Sequence, residues 1–293
     1  MNKLDNIKIN NNHIWTKCPF CFNENIYKIG NIEYFKPLMF STKFIEIIET
    51  PELWKCRVCK STFVQNSLTE YDAKNLYETG DSSQRWPNGK LFEFSKSQSI
   101  IKYLNKLLLP EKKILDFGCN DGHMLDYFKH KSCKTFGFEY SKDSRKILEQ
   151  KGHKSYGSLN EIDEKFDIIT AFDLVEHLYK PTEFFENCHK FLDKNGLLII
   201  LTGNNSCISS KLTKENWWYV RYPEHVSFAS KKYLNNHNSY ELIKWIPTFA
   251  MVQLESTIIK GLKAITRDGK KYNGRPSIGA DHVLIVMRKK NGV

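Results

Sequence analysis

The stretch Lys113-Ile114-Leu115-Asp116-Phe117-Gly118-Cys119-Asn120-Asp121-Gly122-His123-Met124-Leu125 constrains the fold of this chain more than any other. Ile114, Leu115 and Phe117 form a short apolar run behind charge, the pattern of a buried strand. Gly118 and Gly122 punctuate a tight turn, and His123 to Phe128 carries helical spacing. A strand, a glycine loop and a helix start aim backbone N–H groups at a ligand. Glycine serves there because it tolerates positive φ and lets a ligand approach closely. The spacing D-x-G-x-x-x-G is not the dinucleotide fingerprint G-x-G-x-x-G, and an acid closes the strand instead.

Downstream the pattern alternates. Thr135–Tyr140 reads as a strand, Ser141–Gln150 as a helix and His153–Gly157 as a short strand. Phe166–Phe172 is a strand, Pro181–Leu192 a helix, and Asn195-Gly196 a turn into the strand Leu197–Leu201. Lys231–Asn238 reads as a helix, Tyr240–Trp245 as a sixth strand, Met251–Lys263 as a helix and Asp281–Arg288 as the last strand. Upstream, helical spacing runs from Ser97 to Leu107 and stops before Pro110. Strands alternating with helices predict an α/β fold with a mostly parallel sheet covered on both faces.

The N-terminal region has another character. Cys18-Pro19-Phe20-Cys21 and Cys56-Arg57-Val58-Cys59 are two C-x2-C pairs separated by 34 residues. Each pair suits a tight knuckle that aims two sulfurs at one point, and two knuckles make the four-thiolate tetrahedron of structural zinc. No acid or fifth ligand stands beside them, so the expected zinc site is closed and structural. Residues 1–13 are polar and read as a frayed tail, 14–68 as a zinc-binding module, 69–96 as a linker and 97–293 as the main domain.

Charge and composition narrow the partners. Lys and Arg number 44 against 33 Asp and Glu, for a net charge of +11. Such a charge points to an anionic partner (nucleic acid, a nucleotide-linked substrate or an anionic lipid surface) or simply to a lysine-rich solvated surface. The lysines are scattered, although Lys17, Lys28, Lys55, Arg57 and Lys60 gather around the cysteines. No apolar run approaches the roughly 20 residues of a membrane span. The first residues carry no apolar signal region, so the expectation is a cytoplasmic protein whose eight cysteines are thiols or metal ligands.

Several residues fall at the C-terminal ends of the predicted strands, where open α/β sheets bind ligands. Asp116 and Gly118 close strand one, and Glu139 closes strand two, 23 residues on. An acid there can accept both hydroxyls of a ribose. Ser158 and Leu159 follow strand three, where an adenine would lie, and Asp173 follows strand four. Over residues 97–203 this set resembles the class I S-adenosylmethionine (SAM) methyltransferases, including F-D-x-I-x-x-x-D-x-x-E-H-L as Phe166, Asp167, Ile169, Asp173, Glu176, His177 and Leu178. The resemblance implies a Rossmann-like, seven-stranded sheet with an antiparallel last strand. It implies Gly118, Asn120 and Gly122 around the methionine and ribose of SAM, Glu139 on the ribose, and Asp173 near the methionine portion. Asn120 departs from the Gly of many members, but Asn tolerates left-handed backbone.

The resemblance extends further. The four-cysteine module, the core, Trp217-Trp218 and Pro223-Glu224-His225-Val226-Ser227-Phe228 are together similar to bacterial methyltransferases of deoxysugar and surface-polysaccharide pathways. It implies methyl transfer to a nucleotide-linked sugar or glycan precursor, on oxygen or carbon, with the substrate segment over 204–235. Such transfer needs a base, and His titrates near neutral pH, which nominates His177 and His225, with Asp173 and Tyr222 behind them. Trp217, Trp218 and Tyr219 either stack on substrate or plug the core. Two alternatives stand beside this reading: an RNA methyltransferase gripping RNA through its zinc module, and a non-catalytic SAM-fold binding protein.

Overall fold

A computed structural model describes residues 7–34, 38–40, 43–79, 98–248 and 280–291. Six short strands come first: β1 (Ile7–Ile9), β2 (Ile26–Asn31), β3 (Leu38–Phe40), β4 (Lys43–Ile47), β5 (Glu52–Cys56) and β6 (Thr62–Gln65). Helices α1 (Glu70–Thr79) and α2 (Gln98–Leu107) follow. The alternating portion runs β7 (Lys113–Phe117), α3 (His123–His130), β8 (Lys134–Phe138), α4 (Lys142–Gln150), β9 (Lys154–Tyr156), β10 (Phe166–Phe172), α5 (Pro181–Phe191) and β11 (Leu192–Gly203). The chain then forms α6 (Ile208–Thr213), β12 (Ser227–Phe228), α7 (Lys231–Asn235), β13 (Tyr240–Thr248) and β14 (His282–Lys289).

The main sheet has seven strands in the order β13-β14-β11-β10-β7-β8-β9. Pairings among β11, β10, β7, β8 and β9 are parallel. The last strand, β14, inserts antiparallel between β11 and β13. This is the α/β architecture expected from the alternation, in the Rossmann-like form with an antiparallel last strand that the resemblance implies. Successive strand residues point to opposite faces, so Leu115, Phe117, Ile169, Leu198 and Ile200 fill one core while Ile114, Ile168, Ile199 and Leu201 fill the other. Leu104 of α2 and Leu125 and Phe128 of α3 cover the second face. The expected turn at Asn195-Gly196 lies inside β11, where the register with β10 jumps from Phe166↔Leu192 to Ile168↔Leu197. Asn195 takes a positive φ of 60° there, so the turn residues form a bulge within one long strand. The helix expected over Met251–Lys263 lies outside the described residues.

Two N-terminal expectations need correction. Residues 7–13 are not a frayed tail. β1 pairs parallel with β4, and His13 bridges Ser67. Asn11 is fully buried, and its side chain donates to the carbonyls of Glu49 (2.6 Å) and Asn66 (2.8 Å). Its Oδ1 accepts the N–H groups of Ile48 (2.7 Å) and Glu49 (2.8 Å). A polar residue that satisfies four backbone groups is structural however hydrophilic its neighbours are. Nor is 69–96 wholly a linker, because α1 occupies its start. Ala73, Leu76 and Tyr77 recur at helical spacing and pack with Trp217, Tyr219 and Val226. Three apolar residues were enough to dock a helix whose composition reads as solvent-exposed.

The cysteine-bearing strands form a four-stranded sheet in the order β12-β6-β5-β2, whose edge strand β12 comes from the far side of the main domain. No helix among the described residues is long and apolar enough to cross a membrane. Asn11→Ala should lower the unfolding free energy by about 2–3 kcal/mol, because the buried backbone groups it serves are left unpaired. Urea denaturation of the two proteins measures this.

Candidate active site

At the end of β7 the backbone turns through three left-handed residues: Gly118 (φ 68°), Asn120 (φ 47°) and Gly122 (φ 82°). A Cβ on Gly122 would fall 2.4 Å from the Leu148 side chain, so both its φ and its packing demand glycine. Gly118 lies against Leu174, whose Cδ1 would sit 3.0 Å from an added Cβ. Glu139, just past β8, ties the loop down. Its Oε2 accepts the N–H of Asn120 at 3.0 Å and its Oε1 that of Ser141 at 2.9 Å. Ser144 Oγ donates to Asn120 Oδ1 at 3.2 Å, which explains how Asn replaces Gly there. Burial raises the Glu139 carboxyl against the pull of those N–H donors. Beyond β9, Ser158 caps a short helical turn beginning at Leu159, and both side chains are half-buried.

Asp116 stands near the end of β7, as expected, with its carboxyl turned toward β10. It is only 3% exposed and accepts the Thr170 hydroxyl of β10 at 2.6 Å. Desolvation pushes its carboxyl up to about 7. The bond to Thr170 ties β7 to β10 behind the loop.

The turn Asp173–Leu178 after β10 links this loop to a second cluster. Leu174 touches Gly118, and two residues later Glu176 is fully buried. Glu176 accepts the Tyr219 hydroxyl on Oε1 and the Thr202 hydroxyl on Oε2, the latter at 2.9 Å. Desolvation, and then the charge of Asp173, push its carboxyl up to about 8. Tyr219 Oη also lies 3.3 Å from Asp173 Oδ1, and the His282 ring reaches within 3.9 Å of the same oxygen. An added Cβ on Gly203 would meet the Tyr219 ring at 2.2 Å, so that glycine makes room for the tyrosine.

The two histidines meet on this cluster, with ring centroids 4.7 Å apart and planes near perpendicular. His225 is buried, and its Nδ1 lies 2.7 Å from the Tyr219 carbonyl. A carbonyl only accepts, so Nδ1 carries the proton and Nε2 keeps its lone pair. Burial, reinforced by the neighbouring His177 and Arg221, holds the imidazole well below its ordinary pKa and therefore neutral. His177 Nδ1 lies 3.0 Å from the Glu224 carbonyl and 2.9 Å from the Tyr77 hydroxyl of α1. Ligand atoms of Glu176, His177 and His225 fall within 4.8 Å of one another, but both Glu176 oxygens are already taken by hydroxyls. Tyr222 points elsewhere, its hydroxyl donating to the Asn66 carbonyl at 3.2 Å. Trp217 is buried against Tyr219 and Phe228 and plugs the core, whereas half-buried Trp218 donates to Asp281 at 2.7 Å.

Sequence reasoning missed the roles of Glu176, Tyr219, Thr202, His282 and Tyr77. Glu176 stood within a recognised pattern, between the apolar residues Val175 and Leu178 just after a strand, and that setting was the available signal for its burial. Tyr77 and His282 gave none, because only tertiary contact brings α1 and β14 to the turn.

The four cysteines converge on one point. Cys18 and Cys59 sulfurs are 3.5 Å apart, Cys21 and Cys56 sulfurs 3.6 Å, and all four lie within 4.8 Å of one another. The two knuckles repeat one geometry: Phe22 N–H donates to Cys18 O and Lys60 N–H to Cys56 O, and Phe22 (φ 55°) and Lys60 (φ 67°) are both left-handed. Four thiolates about 2.3 Å from a central metal stand about 3.8 Å apart. The donor set therefore suits a tetrahedral, thiophilic ion.

The family described as "Methyltransferase domain" matches residues 91–238, just over half of the chain. A ubiquinone biosynthesis O-methyltransferase of Bradyrhizobium sp. (strain ORS 278) is 29% identical over 117 residues, 37% of this chain and 46% of that protein. The enzyme of the same name from Coxiella burnetii (strain Dugway 5J108-111) is 24% identical over 149 residues, 46% of this chain and 64% of its own length. The chain thus spans about half the length of the curated relatives it matches. A solved SAM-dependent methyltransferase from Archaeoglobus fulgidus superposes with a TM-score of 0.46 at 17% identity, over 67% of this chain and 94% of that one.

Glu176 yields a pH test of the cluster. In the fold it holds a proton up to about pH 8, whereas the unfolded side chain releases it near 4.5. Between those values the folded state binds more protons, so this residue makes stability fall as pH rises. Glu176→Gln should flatten the decline of Tm between about pH 5 and pH 8; an unchanged slope by calorimetry would exclude a protonated Glu176.

Proposed function

The chain belongs to the methyltransferase-domain family, and from that premise we propose that it transfers a methyl group from SAM to a small acceptor molecule. One juxtaposition carries this reading: the turn Asp173–Leu178 touches the glycine loop through Leu174 and reaches Tyr219, on whose carbonyl His225 rests, through Glu176. A methyl-donor pocket and a neutral imidazole thus adjoin the same six residues. Gly118, Asn120 and Gly122 offer SAM a loop free of obstructing side chains, and Glu139 offers a carboxylate to the ribose hydroxyls. Ser158 and Leu159 are assigned to the adenine side and Asp173 to the methionine side. SAM supplies an electrophilic methyl group on a sulfonium centre.

The chain's own residues then orient the acceptor and take up its proton. His225 Nε2 is the assigned base, with His177 as its neighbour and alternate. An in-line displacement needs the nucleophile aligned at near-attack distance, which a rigid, buried segment favours. The preferred acceptor class is a nucleotide-linked sugar or glycan precursor, methylated on oxygen or carbon. It is supported by the similarity of the cysteine module and the Trp217–Phe228 segment to surface-polysaccharide enzymes, and by the net charge of +11, which suits an anionic substrate. A phenolic hydroxyl is the second reading, favoured by relatives named ubiquinone biosynthesis O-methyltransferase. RNA has less support. Lys17 and Lys28 are paired to Glu24 and Glu52, and Arg57 lies over the Tyr27 ring at 4.3 Å. We assign zinc to Cys18, Cys21, Cys56 and Cys59, as a structural ion.

The acceptor class is tested by incubating the protein and SAM with nucleotide-sugar, phenol and RNA panels and weighing the products by mass spectrometry. Methylation confined to RNA would overturn the small-molecule reading. Glu139→Ala should weaken SAM binding roughly 10- to 150-fold in calorimetry, the loss of about 1.5–3 kcal/mol expected for charged hydrogen bonds. His225→Asn should leave SAM affinity intact and slow transfer by about 10²-fold or more. Because His225 is held neutral well below 6.5, transfer by the wild type should persist below that pH; an acid limb centred near it would point to another base.

A further inference from the structure

Nine consecutive residues, Tyr222–Ser230, are buried although only Ser227 and Phe228 are in a strand. Buried irregular backbone must find partners for its polar groups, and this segment finds them on two sides. On the inner side, Val226 N–H donates to the Glu176 carbonyl at 2.7 Å, and Ser227 Oγ reaches the carbonyls of Leu178 (2.9 Å) and Val175 (3.2 Å). On the outer side, β12 pairs antiparallel with β6, and Val64 N–H donates to the Val226 carbonyl at 2.9 Å.

The segment ends on the cysteine centre itself. Ser230 Oγ donates to the Cys59 carbonyl, and Ser230 N–H donates to Ser61 Oγ at 3.1 Å. The Ser61 carbonyl in turn accepts the Cys56 N–H at 3.0 Å. Two hydrogen-bonded paths therefore run from the backbone of the Cys56–Cys59 knuckle to Ser230, one through the Cys59 carbonyl and one through Ser61. The ring of Phe20, between Cys18 and Cys21, packs edge-on against Tyr233, whose N–H is capped by Ser230. The hydrogen bonds that tie down the glycine loop and Glu139, by contrast, come from Phe138, Asn120, Ser141, Ser144, Arg145, Lys151 and Tyr156. None of those residues belongs to the cysteine sheet.

We propose that the four-cysteine centre positions His225 through Ser230 and β12, so that the bound metal is required to order the acceptor-side segment but not to bind SAM. Ser230 is then a positioning residue. Without the ion, the Cys56–Cys59 knuckle loses what holds its turn, and the carbonyl and hydroxyl that anchor Ser230 go with it. Five residues back, His225 loses the outer half of its support. The proposal rests on His225 as proton acceptor only for its catalytic consequence; the structural coupling stands apart from that.

The test uses the full-length, zinc-loaded protein and three measurements: zinc content by thiol-triggered release, SAM affinity by calorimetry, and deuterium exchange of peptides covering 221–230 and 113–125. Ser230→Ala should retain one zinc per chain and bind SAM within twofold of wild type. Exchange over 221–230 should accelerate about tenfold or more, with 113–125 unchanged. Ser230→Thr, which keeps the hydroxyl, should restore slow exchange. Stripping zinc from the wild type with a chelator should reproduce the Ser230→Ala pattern. Unchanged exchange over 221–230 in both cases, or an equal rise over 113–125 with loss of SAM binding, would overturn the coupling. If exchange rises as expected while transfer to an established acceptor keeps its wild-type rate, the assignment of His225 as base fails and the coupling is retained.

Discussion

The obligation to pair buried backbone polar groups shapes this molecule most visibly at Tyr219–Ser230. The segment is sunk between two sheets without belonging fully to either. Its amides and carbonyls are satisfied by the turn after β10 on one side and by β6 on the other. Buried unpaired groups cost about 1–3 kcal/mol each, so the cysteine-bearing sheet and the seven-stranded sheet cannot separate without exposing this segment or leaving it unsatisfied. The shared core says the same: Cys18, Phe20, Cys59 and Phe63 lie in one apolar cluster with Phe117, Phe184 and Ile200. What reads in sequence as a small module joined by a linker is built into the side of the main fold.

Around that segment the structure buries an unusual amount of ionisable chemistry. Asp116, Glu176 and His225 are all nearly inaccessible, and burial drives each toward its neutral form. The acids are kept by hydroxyl donors, Thr170 for Asp116 and Tyr219 and Thr202 for Glu176, which stabilise them without a countercharge. Tyr219 serves twice: its hydroxyl meets Glu176 and its carbonyl orients His225. The result is an imidazole of defined tautomer, with its Nε2 lone pair unprotonated at neutral pH, beside acids held toward their protonated forms. Clusters of this kind, with titratable groups shifted by burial at the ends of parallel strands, are characteristic of functional sites.

The sheet was legible from the chain because its cause is local. Ile114–Phe117, Phe166–Phe172 and Leu197–Leu201 are apolar runs bounded by charge or glycine, and helices of regular spacing lie between them. Gly118, Gly122 and Glu139 were legible for the same reason, since a strand end followed by a turn that demands positive φ is written in a few consecutive residues. The paired cysteines were legible as well, because each knuckle is a four-residue unit. The polar strings at 7–13 and 69–79 misled, because their structural weight rests on single residues such as Asn11 and Leu76 that find distant partners. Asp116 was legible as a strand-end acid, but its burial against Thr170 was not, because the pairing of β7 with β10 is a tertiary contact.

The sequence by itself determined the alternating α/β order, the glycine loop, the acid Glu139 after β8 and the thiol quartet, since each depends on spacing within a few residues. Only the tertiary structure decided that His177 and His225 stand ring to ring, that Tyr77 reaches His177 and His282 reaches Tyr219, and that Ser227-Phe228 completes the cysteine sheet. Those arrangements depend on which elements far apart in the chain find each other when backbone groups and apolar faces are buried together, and no local pattern encodes that choice.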